Sequence, residues 1–409
     1  MAGGFLLAYQ LFSMSIFAAP NKSELVQTGI MREIQMVDLV AQYAHIQEEI
    51  DAAVLGVIRS AKYIGGPEVD SFKKEFETYL GVKHVIPCAN GTDALQIAMM
   101  ALGLKPGDEV ITPTFTYIAT AEVIALLGLT PVLVDVEPNT FTIDIKQVEA
   151  AITSRTKAIV PVHLYGQCAD MERLLALADK HGIHVIEDNA QAIGSDYNFT
   201  NGKQVKAGTM GVFGCTSFFP SKNLGCFGDG GAIITNDDKL AHLAKVIASH
   251  GQTKLYVHDE VGCNSRLDAI QAAVLRVKLP HLDQYIARRQ EVAHRYDLAF
   301  KDISAISIPF AHSRSSHVYH QYTMVLNGLS RDALRSYLAE NGIPSMVYYP
   351  IPLHKQKAFK DTRYDDSAFP VTDHLCDNVI SLPIHTEMDV DQQQFIINHV
   401  LAFVGKTSK

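Results

Sequence analysis

The chain has 409 residues, of which 47% are hydrophobic and 19% are charged, and these proportions are typical of a globular protein with a large core. Its length predicts about two or three domains. A formal net charge of −9 argues against a nucleic-acid partner or an anionic membrane surface, so any phosphate that the protein binds must be held by local groups.

The first 20 residues are apolar, like the core of a signal peptide, but no Lys or Arg precedes them, and they are short for a membrane span. We therefore expect residues 1–30 to be an unstructured or non-native extension, although a mature chain beginning near Asn21 would favour secretion. Six cysteines without a CxxC pair argue against zinc or redox motifs. A glycosylation triplet at Asn90 lies inside a candidate phosphate loop, where an attached glycan would prevent binding. We therefore expect the protein to be in the cytoplasm, where this triplet is not glycosylated.

Residues 36–80 are predicted to form a helical lead-in, interrupted by a loop at 63–67. From about residue 82, short apolar strands alternate with helices. The predicted strands are His84–Cys88, Glu109–Thr112, Pro131–Val136, Lys157–Tyr165, His184–Glu187, Cys215–Phe219 and Gly231–Thr235. The predicted helices between and after them are Ala94–Leu102, Thr120–Leu127, Met171–His181 and Lys239–His250. This alternation predicts an α/β fold with a mostly parallel central sheet and helices on both faces.

After about residue 280 the pattern changes to a charged helix at 288–301, a strand at Tyr322–Leu326 and a helix at Arg331–Asn341. This mixture predicts a smaller C-terminal α+β domain. We therefore predict three parts: the extension 1–30, a large domain 31–280 that includes the lead-in, and a small domain 281–409.

Lys222 is a lone cation between apolar and glycine-rich flanks, just after a predicted strand. Lysine is rarely buried without a task. In a poorly solvated pocket its pKa falls, and the neutral amine becomes a nucleophile that forms imines with carbonyl compounds. Lys222 is therefore the first candidate catalytic residue.

Three further groups follow strands, where ligands bind in parallel sheets. Asp188 could be a carboxylate partner or a simple helix cap, and Gln191 could be a donor beside it. Gly91 and Thr92, after Asn90, could bind phosphate at a helix start or simply begin a helix, and the Ser217 hydroxyl could add to them. A flat platform could come from Tyr117 or Phe115, although aromatic residues more often belong to the core. Lysine, carboxylate, phosphate cup and platform are what pyridoxal phosphate requires.

Five sequence blocks then resemble the DegT/DnrJ/EryC1/StrS family of nucleotide-sugar aminotransferases, over residues 36–400. They are CANGTDALQIAMMALGLKPGDEVITPTFTYIATAE, PVHLYGQCAD, VIEDNAQAIGSDY, TSFFPSKNLGCFGDGGAIITND and GCNSRLDAIQAAVL. The resemblance implies a fold-type I, pyridoxal-phosphate-dependent homodimer with shared active sites. It matches Lys222 to the imine lysine, Asp188 to the partner of the ring nitrogen, Gln191 to the ring hydroxyl, and Thr92 and Ser217 to phosphate.

The resemblance also implies that Asn264 contacts phosphate from the neighbouring subunit. Arg266, Tyr348 and Tyr349 are matched to the substrate, although Arg266 could equally be structural. Within the family, the chain is most similar to enzymes that move an amino group from L-glutamate to C3 of UDP-2-acetamido-3-keto-glucuronic acid, for O-antigen or capsule synthesis. Those enzymes have histidine where Tyr348 stands.

Two other functions remain open at this point: a 4-aminotransferase acting on a UDP- or dTDP-4-keto sugar, and a regulator that binds the cofactor without turnover. A nicotinamide enzyme is disfavoured because no G-x-G-x-x-G follows an early strand. His181 and His184 form a close pair near a strand, but they have no carboxylate or cysteine companion. We read them as packing or surface residues and expect no metal site.

Overall fold

The structure is a computed structural model, and it describes residues 32–360, 363–365 and 367–407. The described residues from Ile34 onward form one compact unit. The predicted extension at 1–30 lies outside the described residues. In the part of the chain that the structure describes, no helix is both long enough and apolar enough to cross a membrane.

The described residues contain thirteen α-helices and fourteen strands, joined by short turns. The helices are α1 (Leu39–His45), α2 (Gln47–Ser60), α3 (Pro67–Leu80), α4 (Gly91–Ala101), α5 (Ala119–Leu126), α6 (Ile145–Ala151), α7 (Met171–His181), α8 (Asp238–Ala248), α9 (Ala269–Lys278), α10 (Leu282–Phe300), α11 (Arg331–Glu340), α12 (Pro370–Asn378) and α13 (Val390–Thr407). The strands are β1 (His84–Cys88), β2 (Glu109–Pro113), β3 (Thr130–Val134), β4 (Thr156–Ile159), β5 (His184–Asp188), β6 (Asp196–Asn198), β7 (Gln204–Lys206), β8 (Phe213–Ser217), β9 (Gly231–Thr235), β10 (Gln252–Lys254), β11 (Val257–His258), β12 (Ile306–Ser307), β13 (Tyr322–Leu326) and β14 (Val379–Leu382).

Seven strands form the central sheet in the order β1-β9-β8-β5-β4-β2-β3. Strand β9 is antiparallel to both of its neighbours, and the other six strands run in one direction. Helices cover both faces: Val110 packs in the cluster that contains α4 and α8, whereas the next residue, Ile111, packs against α6 and α7. This confirms the predicted α/β fold with a mostly parallel sheet.

One predicted strand is wrong in its second half. The apolar run 157–165 suggests one long strand, but β4 ends at Ile159. Pro161 has no N–H to donate to a neighbouring strand. Tyr165 and Gly166 then adopt positive φ values of 58° and 117°, which turns the chain away from the sheet. The run is apolar because this turn is buried, not because it is extended.

The C-terminal part forms a smaller α+β domain, as predicted. Strands β12, β13 and β14 make a three-stranded antiparallel sheet. Its core includes Tyr296 of α10, Leu334 of α11 and Val400 of α13. The predicted strand Tyr322–Leu326 coincides with β13. The boundary near residue 280 stays a prediction, and a short 3₁₀ turn, Leu279–His281, joins α9 to α10 there.

Candidate active site

Three of the strands that run in the same direction end beside one another and carry the predicted polar groups. β5 ends at Asp188, β8 ends at Ser217, and β1 ends at Cys88, two residues before Asn90. Because the carboxyl ends of such strands meet at one edge of the sheet, the three loops that follow them form a single site.

The predicted phosphate cup is brought together at the start of α4. The Asn90 side chain caps this helix by accepting a hydrogen bond from Asp93 N at 2.8 Å. A Cβ placed on Gly91 would lie only 2.8 Å from Ser217 Cβ, so the glycine permits close approach of the two segments. Thr92 is half-buried beside them. Free N–H groups at the helix start and the two hydroxyls suit an anion.

Asp188 is 6% exposed and is held at the end of β5 by two hydrogen bonds. Its Oδ2 accepts from Thr120 Oγ1 at 2.8 Å, and its Oδ1 accepts from Ala190 N at 3.2 Å. Burial raises the pKa of the Asp188 carboxyl, and the hydrogen bond from Thr120 opposes that rise. The carboxyl is thus fixed in place, and a cationic partner would favour its charged form.

Lys222 lies across the site from Asp188. Burial lowers the pKa of the Lys222 amine to about 8, and the Asp188 carboxylate acts against this shift. The Lys222 side chain is half-buried, and its amine forms no hydrogen bond or ion pair with the described residues. A half-buried amine with a lowered pKa and an electrostatic interaction with a carboxylate is equipped for nucleophilic and acid–base chemistry.

The loop that carries Lys222 is fixed by backbone and side-chain hydrogen bonds. Lys222 N donates to Phe219 O, and Cys226 N donates to Phe218 O, both at 2.8 Å. From α9, the amine of Lys278 donates to Gly225 O at 2.9 Å. These contacts hold the backbone of the loop while leaving the Lys222 amine unbound.

Gln191 lies between two aromatic segments. Its Oε1 accepts from Tyr165 N at 2.8 Å, and its Nε2 donates to the Tyr349 hydroxyl at 2.9 Å. The Tyr349 ring lies 6.2 Å from that of Tyr117, centroid to centroid. The Tyr348 carbonyl accepts a hydrogen bond from the Tyr165 hydroxyl. The structure therefore brings Gln191, Tyr117, Tyr348 and Tyr349 together.

The two candidate platforms differ in exposure. Phe115 is fully buried and packs against Tyr165 and Tyr349 in the core. Tyr117 is 59% exposed, so its ring has a surface available for a ligand. Of the two residues, Tyr117 alone can cover a cofactor ring.

Asn264 and Arg266 are not joined to the other site residues by any side-chain contact in the described chain. Both are exposed. Ser265 between them is buried, and its hydroxyl accepts from Ala89 N at 3.0 Å, beside the phosphate cup. The two side chains thus flank an anchored residue and point outward.

Comparison with known proteins places this site in a family. Residues 44–401 match the model of the DegT/DnrJ/EryC1/StrS aminotransferase family. The chain belongs to this family.

Two curated relatives match this aminotransferase over almost the whole of their own length. UDP-2-acetamido-2-deoxy-3-oxo-D-glucuronate aminotransferase of Pseudomonas aeruginosa is 50% identical over 87% of this chain and 96% of its own. UDP-N-acetyl-3-dehydro-alpha-D-glucosamine 3-aminotransferase of Acidithiobacillus ferrooxidans is 45% identical over 88% of this chain and 95% of its own. A crystal structure of a family member from Brucella abortus is 42% identical, with a TM-score of 0.86, and covers 91% of this chain and 100% of its own.

Aminotransferases of this family depend on pyridoxal phosphate, and a putative sugar aminotransferase from Streptococcus pneumoniae, 28% identical with a TM-score of 0.82, is known in a PLP form. The residues present here fit that group. Ser217 leaves no room for a side chain at position 91. The start of α4 therefore offers its backbone N–H groups to a phosphate. Asp188 supplies the buried carboxylate, and Lys222 supplies an amine with unused donors.

Two supporting features of this aminotransferase were missed at the sequence level. Thr120 reads as an ordinary helix residue, and its bond to Asp188 joins residues 68 positions apart. Glu187, fully buried, accepts from His163 Nε2 at 2.8 Å and from the backbone N–H groups of Gly208, Met210 and Gly211. That network fixes the end of β5. The sequence signal that could have indicated these contacts was the pair of charged residues, Glu187 and Asp188, at the end of a predicted strand.

Proposed function

We propose that this aminotransferase moves an amino group from L-glutamate to C3 of UDP-2-acetamido-3-keto-glucuronic acid, in the cytoplasm, for O-antigen or capsule synthesis. The observation that carries the chemistry is the half-buried Lys222 amine, which has a pKa lowered to about 8, an electrostatic interaction with Asp188 and no hydrogen bond to the described residues. The 50% identical relative named for the 3-oxo-glucuronate substrate supports the choice of sugar.

Each residue has a stated task in this proposal. When bound, pyridoxal phosphate supplies a carbonyl for the lysine and a ring that accepts electrons. The Lys222 amine would hold the cofactor and, when not joined to it, would act as the base that takes a proton from the amino-acid α-carbon. Asp188 would keep a proton on the ring nitrogen, and Gln191 would donate to the ring hydroxyl.

The remaining cofactor contacts are assigned by position. Gly91, Thr92 and Ser217 bind the phosphate through backbone N–H groups and hydroxyls, and Tyr117 covers the ring. Asn264 reaches the phosphate of a neighbouring subunit, which requires a homodimer. Its exposure, together with the anchored Ser265 beside it, supports this assignment.

The sugar nucleotide is assigned to the open side of the site. Arg266 is the cation proposed for the sugar carboxylate or the diphosphate. Tyr348 and Tyr349 line the sugar position, and the contact between Tyr349 and Gln191 supports their placement beside the cofactor.

The proposal is tested by offering the purified protein, loaded with pyridoxal phosphate, a panel of keto-sugar nucleotides and L-glutamate. The panel pairs the 3-keto-glucuronate with the neutral 3-keto-glucosamine derivative and with UDP- and dTDP-4-keto sugars. Product NMR should show an amino group at C3 and the highest kcat/KM for the uronate. Faster turnover of a 4-keto sugar, or retention of the cofactor without any turnover, would replace the proposal with one of its alternatives.

A further inference from the structure

Glu187 is a fully buried carboxylate that forms no ion pair with a Lys or Arg of the described residues. Its Oε1 accepts from the N–H groups of Met210 and Gly211, both at 2.6 Å. Its Oε2 accepts from Gly208 N and from His163 Nε2, both at 2.8 Å. Four donors occupy the four lone-pair positions of the two oxygens, so the carboxylate is held as an anion with no place for a proton. His163 is the one side chain among these donors.

The His163 ring can make this contact in one tautomer only. Its Nδ1 accepts a hydrogen bond from Ala169 N at 3.2 Å, so that nitrogen carries no proton. The proton of the neutral ring therefore lies on Nε2, which donates it to Glu187. Both side chains are fully buried, so water does not replace either partner. The ring thus joins the buried anion to the turn at 163–169.

The backbone of this turn is strained next to His163. His163 N donates to Asp188 O at 3.0 Å, which ties the start of the turn to the end of β5. Tyr165 then has a φ of 58°, a left-handed conformation that a residue other than glycine keeps only where its surroundings hold it. The two hydrogen bonds of the His163 ring, to Glu187 and to Ala169 N, hold the turn on both sides of Tyr165.

The strained residue directs its N–H at Gln191. Tyr165 N donates to Gln191 Oε1 at 2.8 Å, and because an N–H cannot accept, the amide nitrogen of Gln191 must face the other way. That nitrogen donates to the Tyr349 hydroxyl at 2.9 Å and has a second N–H to offer. The Tyr349 hydroxyl could bond either end of the amide, because a hydroxyl both donates and accepts. The Tyr165 N–H is therefore the contact that decides which end of the amide faces the site.

We propose that His163 is a positioning residue for Gln191. By fixing the Tyr165 N–H, it keeps the amide nitrogen of Gln191, not the oxygen, available to the cofactor ring. This inference rests on the task proposed above for Gln191, which is to donate to the ring hydroxyl. A donor at that position stabilises negative charge on the ring oxygen and so favours loss of the proton from the enzyme–cofactor link. The pKa of the link therefore reports the orientation of the amide.

The test titrates the visible band of the full-length protein loaded with pyridoxal phosphate. Gln191→Leu removes the donor and should raise the pKa of the link by about one unit. His163→Leu removes both ring hydrogen bonds and should raise this pKa by a similar amount, because the amide is no longer held in one orientation. His163→Gln, whose amide can again donate to Glu187, should restore most of the wild-type value.

The double variant decides whether His163 acts through Gln191. If it does, adding His163→Leu to Gln191→Leu should change the pKa of the link no further, because the amide that His163 positions is already absent. A purely structural role for His163 would not produce this lack of additivity. Additive shifts, an unchanged pKa in His163→Leu, or no recovery in His163→Gln would overturn the proposal.

A measurement on the cofactor-free wild type covers the case in which His163→Leu does not fold. In protein labelled with ¹⁵N-histidine, the His163 resonances, assigned by their absence from His163→Gln, should show a proton on Nε2 and none on Nδ1 near neutral pH. A proton on Nδ1 would overturn the proposal. If both measurements give the expected results while no amino transfer is found, the positioning role is supported and the proposed function fails.

Discussion

Two lysines are associated with one loop and differ in what their amines do: Lys222 belongs to the loop, and Lys278 contacts it from α9. Burial lowers the pKa of both Lys222 and Lys278 to about 8. Lys278 donates to Gly225 O at 2.9 Å and lies 4.7 Å from the centre of the Phe227 ring. The Lys222 amine donates to none of the described residues, and the Asp188 carboxylate opposes the lowering of its pKa. A lowered pKa alone therefore does not identify the reactive lysine; the unused donors and the facing carboxylate do.

Replacing the two lysines in turn gives the largest contrast. Lys222→Ala should abolish the visible absorption of the enzyme–cofactor link and lower kcat by about 10³-fold or more, because it removes both the link and the base. Lys278→Met should keep the visible band, because its amine supports only the loop. Spectra and turnover with L-glutamate measure both effects. A normal rate in Lys222→Ala would remove the basis of the comparison.

Asp188 interacts electrostatically with Lys222, whereas no carboxylate contributes to the pKa shift of Lys278 among the described residues, so the charge of Asp188 is the next feature to change. Asp188→Asn should lower kcat by about a hundredfold or more, because it removes the anion proposed to face the ring nitrogen. Thr120→Val keeps the Asp188 charge but removes the hydrogen bond to its Oδ2 and the 3.3 Å contact with the Thr116 hydroxyl, and it should cost about tenfold.

The pH profile distinguishes these two variants. Because the Thr120 hydrogen bond lowers the pKa of Asp188, its loss should raise that pKa further, and activity should fall at a higher pH on the acid side. An acid limb that does not move in Thr120→Val would contradict this role for Thr120.

Replacing Lys278 should change the folding stability of the protein rather than its catalytic rate. Its pKa is about 8 in the folded protein, against an ordinary value of 10.5. Between these values the unfolded chain binds more protons, so folding stability rises with pH. The unfolding free energy of the wild type, minus that of Lys278→Met, should therefore increase by up to about 3 kcal/mol across this window. Urea unfolding of both cofactor-free proteins at several pH values measures it, and a constant difference would refute it.

The smallest expected effect comes from the other α9 residue that holds the lysine loop. Gln271 accepts from Phe227 N at 2.8 Å and donates to Phe227 O at 3.3 Å. Gln271→Leu should cost about 1 kcal/mol of unfolding free energy because these bonds are lost. The visible band should remain, as in Lys278→Met. If the band disappeared, α9 would matter for the chemistry as well as for the loop.

The parts that sequence reasoning predicted correctly depend on local patterns. Apolar strands followed by polar loops located Lys222 and Asp188, and the sheet then placed them opposite each other. The strand 157–165 failed because an apolar run cannot distinguish an extended segment from a buried turn. Resemblance, not pattern, pointed to Tyr348 and Tyr349, which the structure places beside Gln191.

Other site features depend on contacts that no local pattern contains. The hydrogen bond from Thr120 to Asp188 and the one from the Asn223 side chain to Val318 O join segments far apart in the chain. The roles of Asn264 and Arg266 stay predictions, since a single chain leaves both exposed.

The contact between Gly91 and Ser217 has a consequence for selectivity among cofactor analogues. Because the Cβ and backbone of Ser217 lie where a side chain of residue 91 would begin, the two loops can approach this closely only with glycine at position 91. If the cofactor phosphate binds between these two loops, as proposed above, an analogue with an esterified and therefore bulkier phosphate should bind more weakly, even where its ring and aldehyde are unchanged.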